Sequence, residues 1–195
     1  MEGAQDRLSV TPGPPILLAS TSPQRRAILE QLGLPFEVIA PEYVEAGDDP
    51  LEHAVGKAHS VDGGVAPVLG VDTIVRLGDR VLGKANGPEE AAEMLGALAG
   101  ATHEVVSGLC LRTPAWEELH SATTLVTFRP LVAPDIAAYV AAGEWEGRAG
   151  AYAIQGLGAA LVERIEGDYL NVVGLPAALL VRLLAERFPR MYGFG

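Results

Sequence analysis

The segment Ile16 to Val38, ILLASTSPQRRAILEQLGLPFEV, carries an apolar run into a corner rich in hydroxyls and guanidiniums. Ser20, Thr21 and Ser22 fall where a strand would end, and Arg25 falls just inside the helix that would follow. A helix N-terminus offers unpaired backbone N–H groups and a positive dipole potential, so hydroxyls and a guanidinium added there make a cradle for phosphate. The same residues also serve as an ordinary N-cap followed by surface arginines. A second chemical position is Asp72, which interrupts the apolar run VLGVDTIV. A carboxylate buried there is costly unless backbone N–H groups, a cation or a metal ion compensate it. Lys84 is a single cation on a turn in GDRVLGKA. That run approaches the phosphate-loop pattern G-x-x-x-x-G-K-[ST], but Ala85 replaces the hydroxyl that would hold magnesium, Arg80-Val81-Leu82 reads as a strand, and the next helix begins only near Pro88. The match is rejected. Farther on, AYAIQGLGAALVERIEGDYLNVVGLP sets Gln155 and Asn171 among glycines, which suits close approach of backbone to a ligand and equally suits turns.

Other chemistries are excluded or left without support. His53, His59, His103 and His120 show no metal-ligand spacing and read as solvated or capping residues, and no G-x-S-x-G elbow occurs. Cys110 is the one cysteine; it lies in the apolar run VVSGLCLR and reads as a core thiol. The formal charge of −11 repels nucleic acid, so an anionic substrate requires the few cations to converge locally. No apolar run approaches the roughly 20 residues of a membrane span. The start MEGAQDRLSVTPGPP lacks the basic and apolar regions of a signal peptide, so the expected location is cytoplasmic, with no membrane partner.

The elements that must position these residues follow from periodicity and punctuation. Residues 1–14 read as a flexible lead and residues 15–195 as one domain. PILLAS reads as a buried strand, then SPQRRAILEQLG as a helix with Ser22 as N-cap, Pro23 at its first position and Gly33 at its stop. PFEVIA is a short strand. DPLEHAVGKAHSV is a helix opened by Asp49 and Pro50, with Leu51, Ala54, Val55 and Ala58 as its expected apolar stripe. APVLGVDTIVRL reads as a strand turning at Gly78-Asp79 into RVLG. A helix at GPEEAAEMLGALAG precedes two long β segments, Thr102 to Arg112 and Glu117 to Phe128. After a helix at APDIAAYVAAG, the glycine-rich GRAGAYAIQGLG leads to a strand AALVERI, a turn at Glu166-Gly167-Asp168 and a terminal helix PAALLVRLLAERF. The class is mixed α/β.

Taken in order, LASTSPQRRAILEQLGLPFEV, VLGVDTIVRLGDRVLGKANGPEEAAEMLGALAGATHEVVSGLCL, FRPL and AGAYAIQGLGAALVERIEGDYLNVVGLP closely resemble the Maf family, septum-formation-type proteins that act as nucleoside triphosphate pyrophosphatases. The resemblance spans Ile16 to about Leu184. It implies an elongated Maf/ITPase-like α/β fold with a central mixed β-sheet, two lobes and a cleft between them, often as a homodimer. It also implies hydrolysis of a nucleoside triphosphate to monophosphate and pyrophosphate with a divalent cation, Mg²⁺ or Mn²⁺. By position, Asp72 is similar to the family's proton acceptor, and Glu45 and Lys57 to its companion charged residues. Glu45 and Asp72 together would hold the metal. Ser22, Arg25 and Lys84 are similar to its triphosphate contacts, and Ser20 of the phosphate cradle joins them as a substrate-binding candidate. Thr73 and Gln155 resemble the pair of the branch acting on dTTP and UTP rather than the branch acting on 7-methylguanosine triphosphate. Gln24 stands where the dTTP/UTP branch commonly has arginine and the other branch tryptophan, and the loop from Glu45 to Lys57 is shorter than usual. The dTTP/UTP reading extends to CTP or modified pyrimidine nucleotides, and two further readings fit the same resemblance: a nucleotide-binding regulator of cell division or septation with little catalysis, and a pyrophosphatase for another modified nucleotide.

Overall fold

The computed structural model describes residues 13–194. Most of the expected lead therefore lies outside the described residues; of its end, Gly13 donates to the Met191 carbonyl at 3.0 Å and the Pro14 carbonyl accepts from Tyr192 at 2.7 Å. The apolar run at Ile16–Ala19 forms β1 and is buried throughout. It lies parallel to β2 (Phe36–Ile39) on one side and β3 (Val68–Leu77) on the other. A short β4 (Arg80–Leu82) folds back on β3 through the Gly78 turn, where φ is +59°. Three antiparallel strands complete a seven-stranded mixed sheet: β5 (Thr102–Thr113), β6 (Trp116–Phe128) and β7 (Val162–Glu166). The strand order is β2-β1-β3-β5-β6-β7, with β4 paired to β3.

The pairing along β3 makes the cleft. β5 runs beside it from Val68 to Arg76. On the opposite edge, β1 covers Val68 to Gly70 and β4 covers Val75 to Leu77. Residues 71–74 thus have no strand neighbour on that edge, and the sheet is split there into two lobes. Alternation along β3 sends Asp72 to one face of the sheet and Thr73 to the other.

The face carrying Asp72 also carries Gly70 and, across the register, Gly108 and Cys110. On it lies α2 (Pro50–His59), opened as expected by the Asp49 cap, whose carboxylate accepts from Leu51 N at 2.8 Å. A Cβ on Gly70 would meet the Ala54 carbonyl and Ala58, and one on Gly108 would meet the Pro50 carbonyl and the Leu51 backbone. The two glycines therefore let the helix backbone rest directly on the strands. The buried face of α2 is Pro50, His53, Ala54, Lys57 and Ala58. This corrects the expected stripe: Leu51 and Val55 are only half-buried, and a histidine and a lysine face inward in their place. Hydrophobic periodicity could not register a face whose centre is polar and whose helix contacts are alanines.

Gly108→Ala should accordingly destabilise the protein by about 1–3 kcal/mol, the usual cost of forcing atoms into a packed site. Gly96 lies in α3 (Pro88–Leu98) with open space where an added methyl group would point, so Gly96→Ala should instead stabilise by about 0.5–1 kcal/mol. Urea unfolding of both variants would check the opposite signs.

On the Thr73 face, α1 (Pro23–Gln31), α5 (Tyr169–Val173) and α6 (Ala177–Arg187) gather a core around Ile16, Leu18, Leu69, Val71, Leu109 and Leu180. In the other lobe, α3 and α4 (Ala133–Ala141) close on Leu95, Leu98, Phe128 and Tyr139. The sequence expectation of a strand over AALVERI is trimmed, because Gly156–Leu161 form a 3₁₀ turn and β7 starts at Val162. The α5 helix follows the expected turn at Glu166-Gly167-Asp168 as an added element; Asp168 caps it by accepting from Leu170 N at 2.8 Å. Among the described residues no helix is long and apolar enough to cross a membrane.

His103 departs from the solvated or capping role expected of the histidines. It is 1% exposed, its Nε2 lies 2.8 Å from the Tyr152 hydroxyl, and it packs edge-on against Phe128 and Tyr152. Burial lowers its pKa to about 4. The unfolded chain, with an ordinary histidine pKa of about 6.5, therefore takes up the proton first as the solution is acidified. The contribution is complete above about pH 6.5 and is lost as pH falls toward about 4, a difference of roughly 3 kcal/mol at 1.36 kcal/mol per unit. In His103→Gln, which keeps a polar group for Tyr152, stability measured from pH 7 to pH 4 should fall less steeply than in the unaltered protein by about that amount.

Candidate active site

The break in β3 opens into a cleft of about 820 Å³ lined from both lobes. One wall is the β1–α1 corner. Ser22 caps α1, its Oγ accepting from Arg25 N at 3.5 Å, and Pro23 begins the helix as expected. Ser20 is buried, and its Oγ accepts from Ser22 N at 3.2 Å and from Arg25 Nη1 at 3.1 Å. Arg25 is a buried arginine, not a surface one, with 9% exposure. Its Nε donates to the Gly174 carbonyl at 2.9 Å and its Nη2 to Thr73 Oγ1 at 3.3 Å. Burial lowers its pKa, while Asp72 and Glu45 act to raise it. Three of its five N–H donors are thus committed within the protein, which fixes the guanidinium plane and leaves two for a ligand. Thr73 completes this anchor, its hydroxyl lying 2.8 Å from Ser107 Oγ. Gln24 lines the cleft half-buried, with Oε1 accepting from Ser22 Oγ at 3.1 Å.

Through the break, on the α2 face, the question of what compensates Asp72 is answered by two side chains one helical turn apart. Lys57 Nζ lies 2.6 Å from Asp72 Oδ1 and 2.6 Å from Glu45 Oε1. His53 Nδ1 lies 3.2 Å from Asp72 Oδ2, and its Nε2 lies 3.2 Å from the Ala46 carbonyl. Lys57, His53 and Asp72 are all buried, whereas Glu45 reaches in from a loop and is half exposed. The hydrogen bond from Lys57 pulls the Glu45 pKa below the usual carboxylate range. The loop is held over α2 by the Tyr43 ring, which packs onto Gly56 where a methyl group would clash.

Glu45, His53 and Asp72 each offer a ligand atom, all within 4.8 Å of one another. Two carboxylates and an imidazole form a donor set suited to a divalent cation. That donor set fits a divalent cation at the expected pair Glu45 and Asp72, beside the Lys57 ammonium that bridges both carboxylates.

The far wall comes from the β4 end and the glycine-rich segment after α4. Lys84 pairs by backbone with Ala149, and Gly150 N donates to the Leu82 and Gly83 carbonyls at 3.0 Å each. This brings the exposed Lys84 and Gln155 to the cleft, together with Arg148 and Glu144. Glu144 accepts from Leu157 N and Gly158 N at 3.0 and 3.1 Å, tying down the turn that begins at Gln155.

All ten expected site residues line this one cleft. Among the other lining residues, His53, Glu144 and Arg148 carry polar side chains outside the expected set. His53 was detectable, since it stands four residues before Lys57 and so shares its helix face; the reading of it as solvated or capping is corrected by its burial against Asp72. Asn171 is not at the cleft. It is fully buried and its Nδ2 donates to the Val105 carbonyl at 3.0 Å and Thr124 Oγ1 at 3.1 Å, which anchors α5 to the sheet. Cys110 is the expected core thiol, its pKa raised to about 12 by burial and the nearby Glu117.

The family model described as Maf-like protein matches residues 15–187. A dTTP/UTP pyrophosphatase of Nitratidesulfovibrio vulgaris is 46% identical over 187 residues, covering 89% of this chain and 88% of that protein. One from Gloeobacter violaceus is 45% identical over 186 residues, covering 91% and 98%, and one from Thermus thermophilus is 45% identical over 180 residues, covering 89% and 95%. The match runs from the strand that delivers the Ser20 corner through the terminal helix behind it, so with this extent and identity the chain belongs to the Maf family.

Proposed function

We propose that this protein is a dTTP/UTP pyrophosphatase, hydrolysing the nucleoside triphosphate to the monophosphate and pyrophosphate and so clearing the nucleotide pool. The observation that carries this reading is the joining, through the break in β3, of a buried Lys57–Asp72–Glu45 cluster to a preformed Ser20–Ser22–Arg25 corner in a chain 45–46% identical to enzymes of that name.

In this reading the triphosphate lies along the cleft with Ser22, Arg25 and Lys84 on its phosphate oxygens. Asp72 takes the proton of the water that attacks the α-phosphorus. The new O–P bond forms as the bond to the β-phosphate oxygen breaks, and pyrophosphate leaves with that electron pair. Lys57, Arg25 and Lys84 offset the charge that builds on the leaving group, in a site where fixed charges act with little reorganisation. Lys57 also holds Asp72 and Glu45 in place. Glu45 and Asp72 would hold a divalent cation such as Mg²⁺ or Mn²⁺, which would supply charge neutralisation and a water of lowered pKa. Thr73 acts beneath the site by fixing Arg25, and Gln155 lies where it can meet the nucleoside.

Pyrophosphate release from a panel of triphosphates with Mg²⁺ or Mn²⁺ tests the reading. dTTP and UTP should be the fastest substrates. Release of orthophosphate, or a clear preference for purine or 7-methylguanosine triphosphates, would contradict it.

A further inference from the structure

We propose that His53 Nδ1 is a third cation ligand beside Glu45 and Asp72, and that it turns the site's preference toward a first-row transition ion over Mg²⁺. The inference rests on the cation-assisted reading given above. Both ring nitrogens of His53 face oxygens. The Ala46 carbonyl can only accept, so Nε2 carries hydrogen and donates to it. In the neutral ring this leaves the Nδ1 lone pair directed at Asp72 Oδ2, 3.2 Å away. Two electron-pair donors then face each other, an arrangement satisfied by a cation bound to both.

A metal-ligating histidine characteristically gives its other N–H to a backbone carbonyl or carboxylate, which fixes the tautomer and the ring orientation. Here the carbonyl belongs to Ala46, next in the chain to Glu45, so the same bond orients the ring and draws in the loop carrying the second carboxylate. Lys57 does not compete for the same oxygen. It engages Asp72 Oδ1 and Glu45 Oε1, and Oδ2 is the atom turned to the imidazole. Carboxylate and water ligands suit Mg²⁺, whereas an imidazole in the set favours transition ions. An imidazolium would meet the same two oxygens through hydrogen bonds alone and could not ligate.

The two arrangements differ in a direct spectroscopic readout. The untagged full chain is titrated with Mn²⁺, and bound ion is counted from loss of the aqueous Mn²⁺ electron paramagnetic resonance signal. The bound ion is then examined by electron spin echo modulation for coupling to an imidazole nitrogen. The expected result is a nitrogen coupling in the unaltered protein that is absent in His53→Leu. The variant should also bind Mn²⁺ about 10–100-fold more weakly, the scale on which histidine-supporting groups affect metal affinity, with a smaller loss for Mg²⁺ measured by competition. Bound Mn²⁺ without nitrogen coupling in the unaltered protein would overturn the role of His53 while leaving the Glu45–Asp72 site standing. No Mn²⁺ binding, with or without a nonhydrolysable triphosphate, would overturn both. The overturning outcome, bound Mn²⁺ without nitrogen coupling, is read on the unaltered chain and does not depend on how well the variant folds.

Discussion

Asp72→Asn should lower kcat by about 10²–10⁴-fold, the range associated with losing a general base, while leaving the fold intact. The amide has the shape of the carboxylate and fits the same position opposite Gly108. Its oxygen can still accept from Lys57, and its N–H₂ can donate to a neutral His53. Basicity is lost, and with it the charge on which Lys57 and His53 converge. Steady-state hydrolysis of dTTP, alongside a thermal melt to verify folding, checks the prediction. Turnover near that of the unaltered enzyme would remove Asp72 from the chemistry.

Lys57→Met is expected to have the second-largest effect, lowering kcat by about 10²–10³-fold, as seen when one preorganised electrostatic group is removed. Methionine retains most of the buried volume, so the missing element is the ammonium that spans Asp72 and Glu45. If the charge acts mainly on the leaving pyrophosphate, kcat and kcat/KM should fall together. A raised KM with unchanged kcat would make Lys57 a uniform binding group. The variant should also lose roughly 3–5 kcal/mol of stability, the scale of removing one partner from a buried ion pair. Urea unfolding at neutral pH measures that loss separately from the rate.

These two residues illustrate what was legible in the sequence. Asp72 stood out because a carboxylate breaks an apolar strand pattern, and the strand–cap–helix unit around Ser22 was readable from Ser22, Pro23 and Gly33 alone. Lys57 and Glu45 are legible only through the family resemblance. Nothing local marks Lys57 as buried, because the surface it meets is created by Gly70 and Gly108, which are 13 and 51 positions away in the chain. The split in the sheet is equally hidden, since it depends on β1 ending beside Gly70 while β4 ends beside Val75. Spacing between histidines gives no sign of His53, whose ligand-type partners are carboxylates brought together by the fold. The role of Arg25 was half visible: its position at the helix start was clear, but the bond to Gly174 that fixes its guanidinium spans 149 residues.

Hydrolysis of dTTP in water enriched in ¹⁸O tests the central claim most directly, because the label records which phosphorus is attacked. The arrangement of Asp72, Lys57 and the Ser20–Arg25 corner predicts a single ¹⁸O atom in dTMP and none in the pyrophosphate. Label in pyrophosphate or orthophosphate, with an unlabelled nucleotide product, would place the attack at the β- or γ-phosphorus and contradict the account.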